Sequence, residues 1–147
     1  MQSLQQRQRW MSVLAHSQPA QLRSHWQALH LNPSYQRLRA PEIGLTQLLG
    51  RMGATGRRFV LGDMTVTRAV VQLENGGQGY SYITGRDKEH AELCALIDAL
   101  LQQPANHELL QLQLIEPLAA LQQEQRQLRA RAVAASRVDF FTLVRGD

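Results

Sequence analysis

The stretch Thr65-Val66-Thr67-Arg68-Ala69-Val70-Val71-Gln72-Leu73-Glu74-Asn75-Gly76-Gly77-Gln78-Gly79-Tyr80-Ser81-Tyr82-Ile83-Thr84 decides the fold. Its first half is rich in β-branched residues, which suit a pleated, half-buried strand. Asn75-Gly76-Gly77 is a hairpin signal, because these residues accept the backbone angles of a tight turn. The second half returns as a partner strand, with Tyr80 and Tyr82 on one face and Ser81 and Ile83 on the other. So short a connection forces antiparallel pairing, since a parallel crossover needs about a dozen residues.

Upstream, Phe59-Val60-Leu61 predicts a short strand that Gly62-Asp63 breaks. Thr46, Leu48, Gly50 and Met52 alternate with Gln47, Leu49 and Arg51, which predicts another strand, with Gly53-Ala54-Thr55-Gly56 as the turn between. Residues 35–39 read as extended. Ahead of them, Ser3 and Gln6 form the capping box of a first helix, carrying Trp10, Met11, Val13 and Leu14. Ser17 and Pro19 suit the first turn of a second helix, with Leu22, Trp26 and Leu29 on one side.

Downstream, Asp87 caps a helix whose buried face is Leu93, Cys94, Leu96, Ile97, Leu100 and Leu101. Residues 107–116 read either way. Leu110, Leu112 and Leu114 alternate as in a strand, while His107-Glu108-Leu109 resembles a helix start. Pro117 can open a last helix, with Leu118, Leu121, Gln125, Leu128 and Ala132 at helical spacing. Residues 138–144 (VDFFTLV) predict a strand or a buried extended tail. The expected architecture is α+β: an antiparallel β-sheet meander flanked by an N-terminal helical hairpin and C-terminal helices, in a single domain over 1–147.

The chain has 147 residues, 44% of them hydrophobic, enough for one core. Its single cysteine, Cys94, excludes an internal disulfide framework and an all-cysteine zinc site. No apolar run approaches the ~18 residues of a membrane span, and the N-terminus has no apolar signal region. A soluble, cytoplasmic protein with no membrane attachment is the expectation. The net charge of +4 is unevenly spread. Residues 1–72 carry nine arginines against two acids, residues 73–124 two bases against eight acids, and residues 125–147 five arginines against two acids. Lys88 is the sole lysine, so this is an arginine-dominated surface, suited to protein interfaces or phosphate groups. Nucleic acid is not expected, because no nucleic-acid motif is present and the early arginines form no helical stripe.

The residues announce no self-contained active site. Gly53 to Gly56, followed by Arg57 and Arg58, could cradle phosphate, yet it lacks the Gly-Lys-Ser/Thr of a P-loop and does not open a helix, so a structural turn is the favoured reading. Arg86, Lys88 and His90 surround a helix start that could hold an anion, or simply be a capped terminus. His90 and Cys94 fall at i, i+4 without further ligands, and His16, His25 and His30 are poorly spaced for one face, so no metal site is expected. Trp10, Trp26, Phe140 and Phe141 are candidate interface anchors, since buried aromatics dominate binding hot spots.

Four co-linear blocks carry a resemblance. They are Trp10-Met11-Ser12-Val13-Leu14-Ala15-His16-Ser17; Arg51-Met52-Gly53 through Gly56, Phe59, Gly62-Asp63, Thr65 and Thr67-Arg68; Gly85-Arg86-Asp87-Lys88 with Ala95-Leu96-Ile97-Asp98-Ala99-Leu100; and the closing run from Ser136 to Asp147. In these the chain resembles the PhnG family, the G subunit of the bacterial carbon–phosphorus lyase core complex. The resemblance implies phosphonate catabolism. It implies a complex in which an alkylphosphonate displaces adenine from ATP, giving a ribose 1-alkylphosphonate 5-triphosphate. It implies other lyase subunits as partners, the I subunit first and also H and J. ATP and alkylphosphonate would be substrates of the complex, with no cofactor held by this chain. The family implies no catalytic residue at any position here. Two expectations follow: a required non-catalytic docking subunit, or a chain that lends Arg57, Arg58, Arg86, Lys88 or His90 to phosphate binding.

Overall fold

The computed structural model describes residues 3–51 and 58–145, with side chains described for 3–46 and 62–136. Helices α1 (Leu4–His16) and α2 (Pro19–Ala28) lead into strands β1 (Tyr35–Arg51), β2 (Arg58–Leu73) and β3 (Gln78–Thr84). Helix α3 (Lys88–Leu101) follows. Then come α4 (Pro104–Leu110), one π-helical turn (Gln111–Ile115) and α5 (Glu116–Arg145). The strands form one antiparallel sheet in the order β1-β2-β3, so the meander is present and the fold is α+β.

Local signals explain most of these elements. The Ser3 hydroxyl accepts from the Gln6 amide while the Gln6 side chain accepts from the Ser3 amide, closing the capping box in both directions. Asp87 caps α3 by accepting from the His90 amide at 2.9 Å. The Leu73 and Gly77 backbones bond across the hairpin turn, where Gly76 takes a positive φ of 93°. β3 alternates as expected, with Gly79, Ser81 and Ile83 turned to α3 and Tyr80 and Tyr82 turned away.

Several expectations are corrected. Ser17 does not start α2; it ends α1, its hydroxyl donating to the Leu14 carbonyl oxygen at 2.7 Å. Gly62-Asp63 does not break a strand. β2 runs through, with a register shift where Leu48 and Leu49 face Gly62 and Val60. β1 likewise continues past Pro41, which sits at a shift between Arg39 and Glu42 on an edge strand where a missing N–H is tolerated. Residues 107–116 are helical: Leu110, Leu114 and Ile115 are buried while Leu112 is 62% exposed. The π-helical turn lies just before Pro117, whose ring cannot accept an ordinary helical neighbour four residues back. Residues 138–144 are not a strand. They continue α5, because no Gly or Pro intervenes after Pro117 and helix propagation is cooperative.

The core lies between the sheet and the helices. Trp10, Leu14, Leu22, Val71, Ile97, Leu101, Leu110, Leu114, Ile115 and Leu118 are essentially fully buried in one cluster. Each such side chain contributes about 1.5–3 kcal/mol of transfer free energy. α3 covers one face of the sheet at close range, because Gly79 opposes Ala95 and Ala99, and none of the three has a bulky side chain. No helix among the described residues is long and apolar enough to cross a membrane.

Candidate functional site

Asp98 is the carboxylate on the apolar face of α3, and it is fully buried. A buried carboxylate must be paired and hydrogen-bonded. The Arg7 guanidinium donates to both of its oxygens, at 2.9 and 3.3 Å. The Trp10 indole N–H donates at 2.8 Å, the Tyr80 backbone N–H at 3.1 Å and the Gln102 amide at 3.3 Å. One side chain thereby ties α1, α3 and the edge strand β3 together. The ion pair with Asp98 pushes the Arg7 guanidinium still further up, against the opposing effect of burial. Sequence reasoning missed this role. The available signal was a lone acid inside the otherwise apolar run Ala95 to Leu101.

This brace consumes one expected interface anchor. Trp10 has no exposed surface; it is a core residue held by Asp98 and set edge-on to His107, with ring centres 5.6 Å apart. Its assignment to an interface is therefore corrected. Trp26 is half-buried and borders a hollow with Leu31, Pro33, Tyr35 and Leu93. The side chains of Phe140 and Phe141 lie outside the described residues, as do Arg57, the Arg58 side chain and the Gly53 to Gly56 turn.

The three basic residues at the start of α3 do not share a face. Arg86 and Lys88 are exposed, whereas His90 is 5% exposed, with neither ring nitrogen hydrogen-bonded. Burial lowers the His90 pKa; Asp87 and the nearby carbonyls of Ala15 and Leu14 oppose this without outweighing it. The first-turn amide of α3 is already taken by Asp87. Burial also pushes the Cys94 thiol up to about 12, which removes it as a nucleophile near neutral pH. Among the described residues, no three His, Cys, Asp or Glu side chains converge as a metal site.

Two surfaces stand out as uncovered among the described residues. On the face of the sheet away from α3, Tyr80 is 47% and Tyr82 is 44% exposed. Arg7 lies 5.1 Å from the Tyr80 ring centre and Arg68 lies 5.3 Å from that of Tyr82, within cation–π range. The second surface is the outer part of α5. Every described side chain from 126 to 136 is exposed, including Leu128 and Val133. At 3.6 residues per turn, Leu121, Leu128, Ala132 and Ala135 share one side of the helix, with Arg129 and Arg131 flanking it.

This is a small α+β protein braced around one internal carboxylate, with every described side chain from 126 to 136 of its long last helix exposed. The chain belongs to the family of phosphonate metabolism proteins PhnG, whose model matches residues 5–146. It is 39% identical over 142 residues to the alpha-D-ribose 1-methylphosphonate 5-triphosphate synthase subunit PhnG of Rhizobium meliloti (strain 1021). That match spans 97% of this chain and 90% of the relative.

Proposed function

We propose that this chain is a required, non-catalytic subunit of a ribose 1-methylphosphonate 5-triphosphate synthase, working in the cytoplasm in phosphonate catabolism. The reaction of that complex joins the ribose 5-triphosphate of ATP to an alkylphosphonate with release of adenine. The chain contributes by docking on the other lyase subunits, the I subunit first, with H and J in the same assembly. Steering phosphonate, in place of water, to the ribose carbon is the service such a subunit performs.

One observation carries the docking reading. The outer half of α5 is helical, yet every described side chain from 126 to 136 is exposed. Helices in proteins draw most of their stability from the packing of one face, and not from propensity alone. A stripe of Leu128, Ala132 and Ala135 between two arginines therefore calls for a partner with an apolar groove and acidic rims. Phe140 and Phe141, later on the same helix, are the aromatic anchors of this docking.

The test is co-purification of the tagged chain with the other lyase subunits, weighed by native mass spectrometry. A defined hetero-oligomer is expected for the parent chain. Leu128→Glu combined with Ala135→Glu should abolish it while the free chain melts as before, because both side chains are exposed. Normal assembly of that variant, with Phe140→Ala and Phe141→Ala also assembling normally, would sink the proposal.

A further inference from the structure

We infer that the cleft between α1 and the first half of α5 binds a small polyphosphate anion. The cleft has a volume of about 810 Å³, within the size range of small-molecule sites. One wall is the stripe Arg9, Ser12 and His16 of α1, spaced i, i+3, i+7. The other is Gln122, Arg126 and Arg129 of α5, spaced i, i+4, i+7. Regular helical spacing puts each set on one side of its helix, facing the other. The walls are tied across the cleft. Gln122 donates through its amide to the Val13 carbonyl oxygen at 2.8 Å, and Arg9 pairs with Glu116 at 2.8 Å.

The electrostatics favour an anion. Glu116 is the cleft's carboxylate, and Arg9 neutralises it. Arg126 and Arg129 form no ion pair among the described residues. Arg126 donates its Nε to the Gln122 carbonyl oxygen, leaving its two terminal nitrogens for a ligand. The end of α1 carries partial negative charge that would repel an anion. Here its last carbonyls are already engaged. Ser12 accepts from the His16 ring at 2.8 Å, Val13 from Gln122 and Leu14 from Ser17. With His16 Nδ1 so used as the donor, its Nε2 is left to accept from a protonated phosphate oxygen or another ligand hydroxyl. Guanidinium forks match phosphate oxygens in geometry as well as charge, and cations on two walls suit a chain of phosphates better than a single one.

This site is separate from the docking stripe. Gln122 and Arg126 lie roughly a quarter of a turn or more around α5 from Leu128 and Ala132, by helical geometry, and Arg129 sits at the border between the two. The two functions can therefore be removed independently.

The experiment titrates inorganic tripolyphosphate, and separately ATP, into the full chain by calorimetry. Saturable binding of tripolyphosphate is expected. Arg126→Gln with Arg129→Gln should weaken it at least about tenfold, since each charge-assisted contact is worth that much or more. Arg39→Gln, an exposed charge on β1, should bind as the parent does. ATP binding no tighter than tripolyphosphate assigns recognition to the phosphates; tighter ATP binding adds the nucleoside to the same site. Absence of saturable tripolyphosphate binding, full affinity in the double variant, or equal loss in Arg39→Gln would each overturn the inference. A double variant that loses tripolyphosphate yet still assembles separates this site from the docking surface. A Leu128→Glu, Ala135→Glu chain that fails to assemble yet binds tripolyphosphate separates them in the other direction.

Discussion

Asp98 is the residue on which the arrangement of α1, α3 and β3 turns. Its four donors come from α1, from the β3 backbone and from the end of α3. Removing the carboxylate leaves the Trp10 N–H, the Tyr80 N–H and the Arg7 charge without their acceptor. Loss of one partner of a buried charge pair costs about 3–5 kcal/mol. Asp98→Ala should therefore lower stability by about that amount in urea unfolding, and a cost below about 1 kcal/mol would show that water replaces the carboxylate. Arg7→Ala should cost less, because Arg7 is partly exposed and its charge is screened. His90 makes a different prediction. Burial makes it harder to protonate in the folded chain than in the unfolded one. The stability this contributes is complete above the ordinary histidine pKa of about 6.5 and is lost as pH falls through the lower folded-state value. The melting temperature should drop between neutral and mildly acidic pH, and His90→Gln should flatten that drop. An unchanged slope in the variant would assign the pH dependence to other groups.

At the scale of elements, helix α3 and strand β3 approach so closely that glycine is required at one point. A Cβ on Gly79 would meet the Ala95 carbonyl oxygen, the Ala99 nitrogen at 2.5 Å and the Ala99 Cβ at 2.8 Å. Two of these are backbone atoms of a packed helix and the third is fixed directly to that backbone, so none can swing aside. Gly79→Ala should destabilise by about 1–3 kcal/mol or more, the usual cost of overpacking, whereas Gly44→Ala, with open space around it, should cost far less. Chemical denaturation of the two variants side by side measures the contrast. The junction before α5 follows the same logic of local geometry. Pro117 lacks an N–H and crowds the carbonyl four residues back, and the turn ahead of it widens to a π-helix without ending the helix. The rod of α5 consequently leaves the body as a continuation of α4, about 45 Å long by helical rise.

For the molecule as a whole, the distribution of charge acquires a spatial meaning. The acidic middle third of the sequence includes α3, where Asp98 and Glu92 are consumed internally by Arg7 and Arg37. The basic C-terminal segment lies on α5, and its described side chains from 126 to 136 are exposed. Neutralised charges hold the body together, and arginines without an ion pair among the described residues are left on the rod and in the cleft beneath it. The assembly and titration experiments therefore address different parts of one helix. A chain that fails in the first and succeeds in the second is the expected signature of a docking stripe beside a separate anion cleft.

The sequence by itself determined the α+β class, the capping box of α1, the β2–β3 hairpin and the buried face of α3. Each of these rests on interactions within a few residues, so composition and spacing carry them. The family was also legible, because its blocks are short, ordered and spread over the chain. The tertiary structure alone decided the place of Trp10, the role of Asp98 and the path of residues 138–144. Trp10 and Arg7 meet Asp98 across 88 and 91 residues of sequence, and no local pattern reports such a contact. Arg126 and Arg129 read as ordinary surface charges until α5 is laid against α1. The β-rich residues at the end of the chain favour a strand on their own. They become helix because the helix before them has no breaker and because propagation is easier than starting anew.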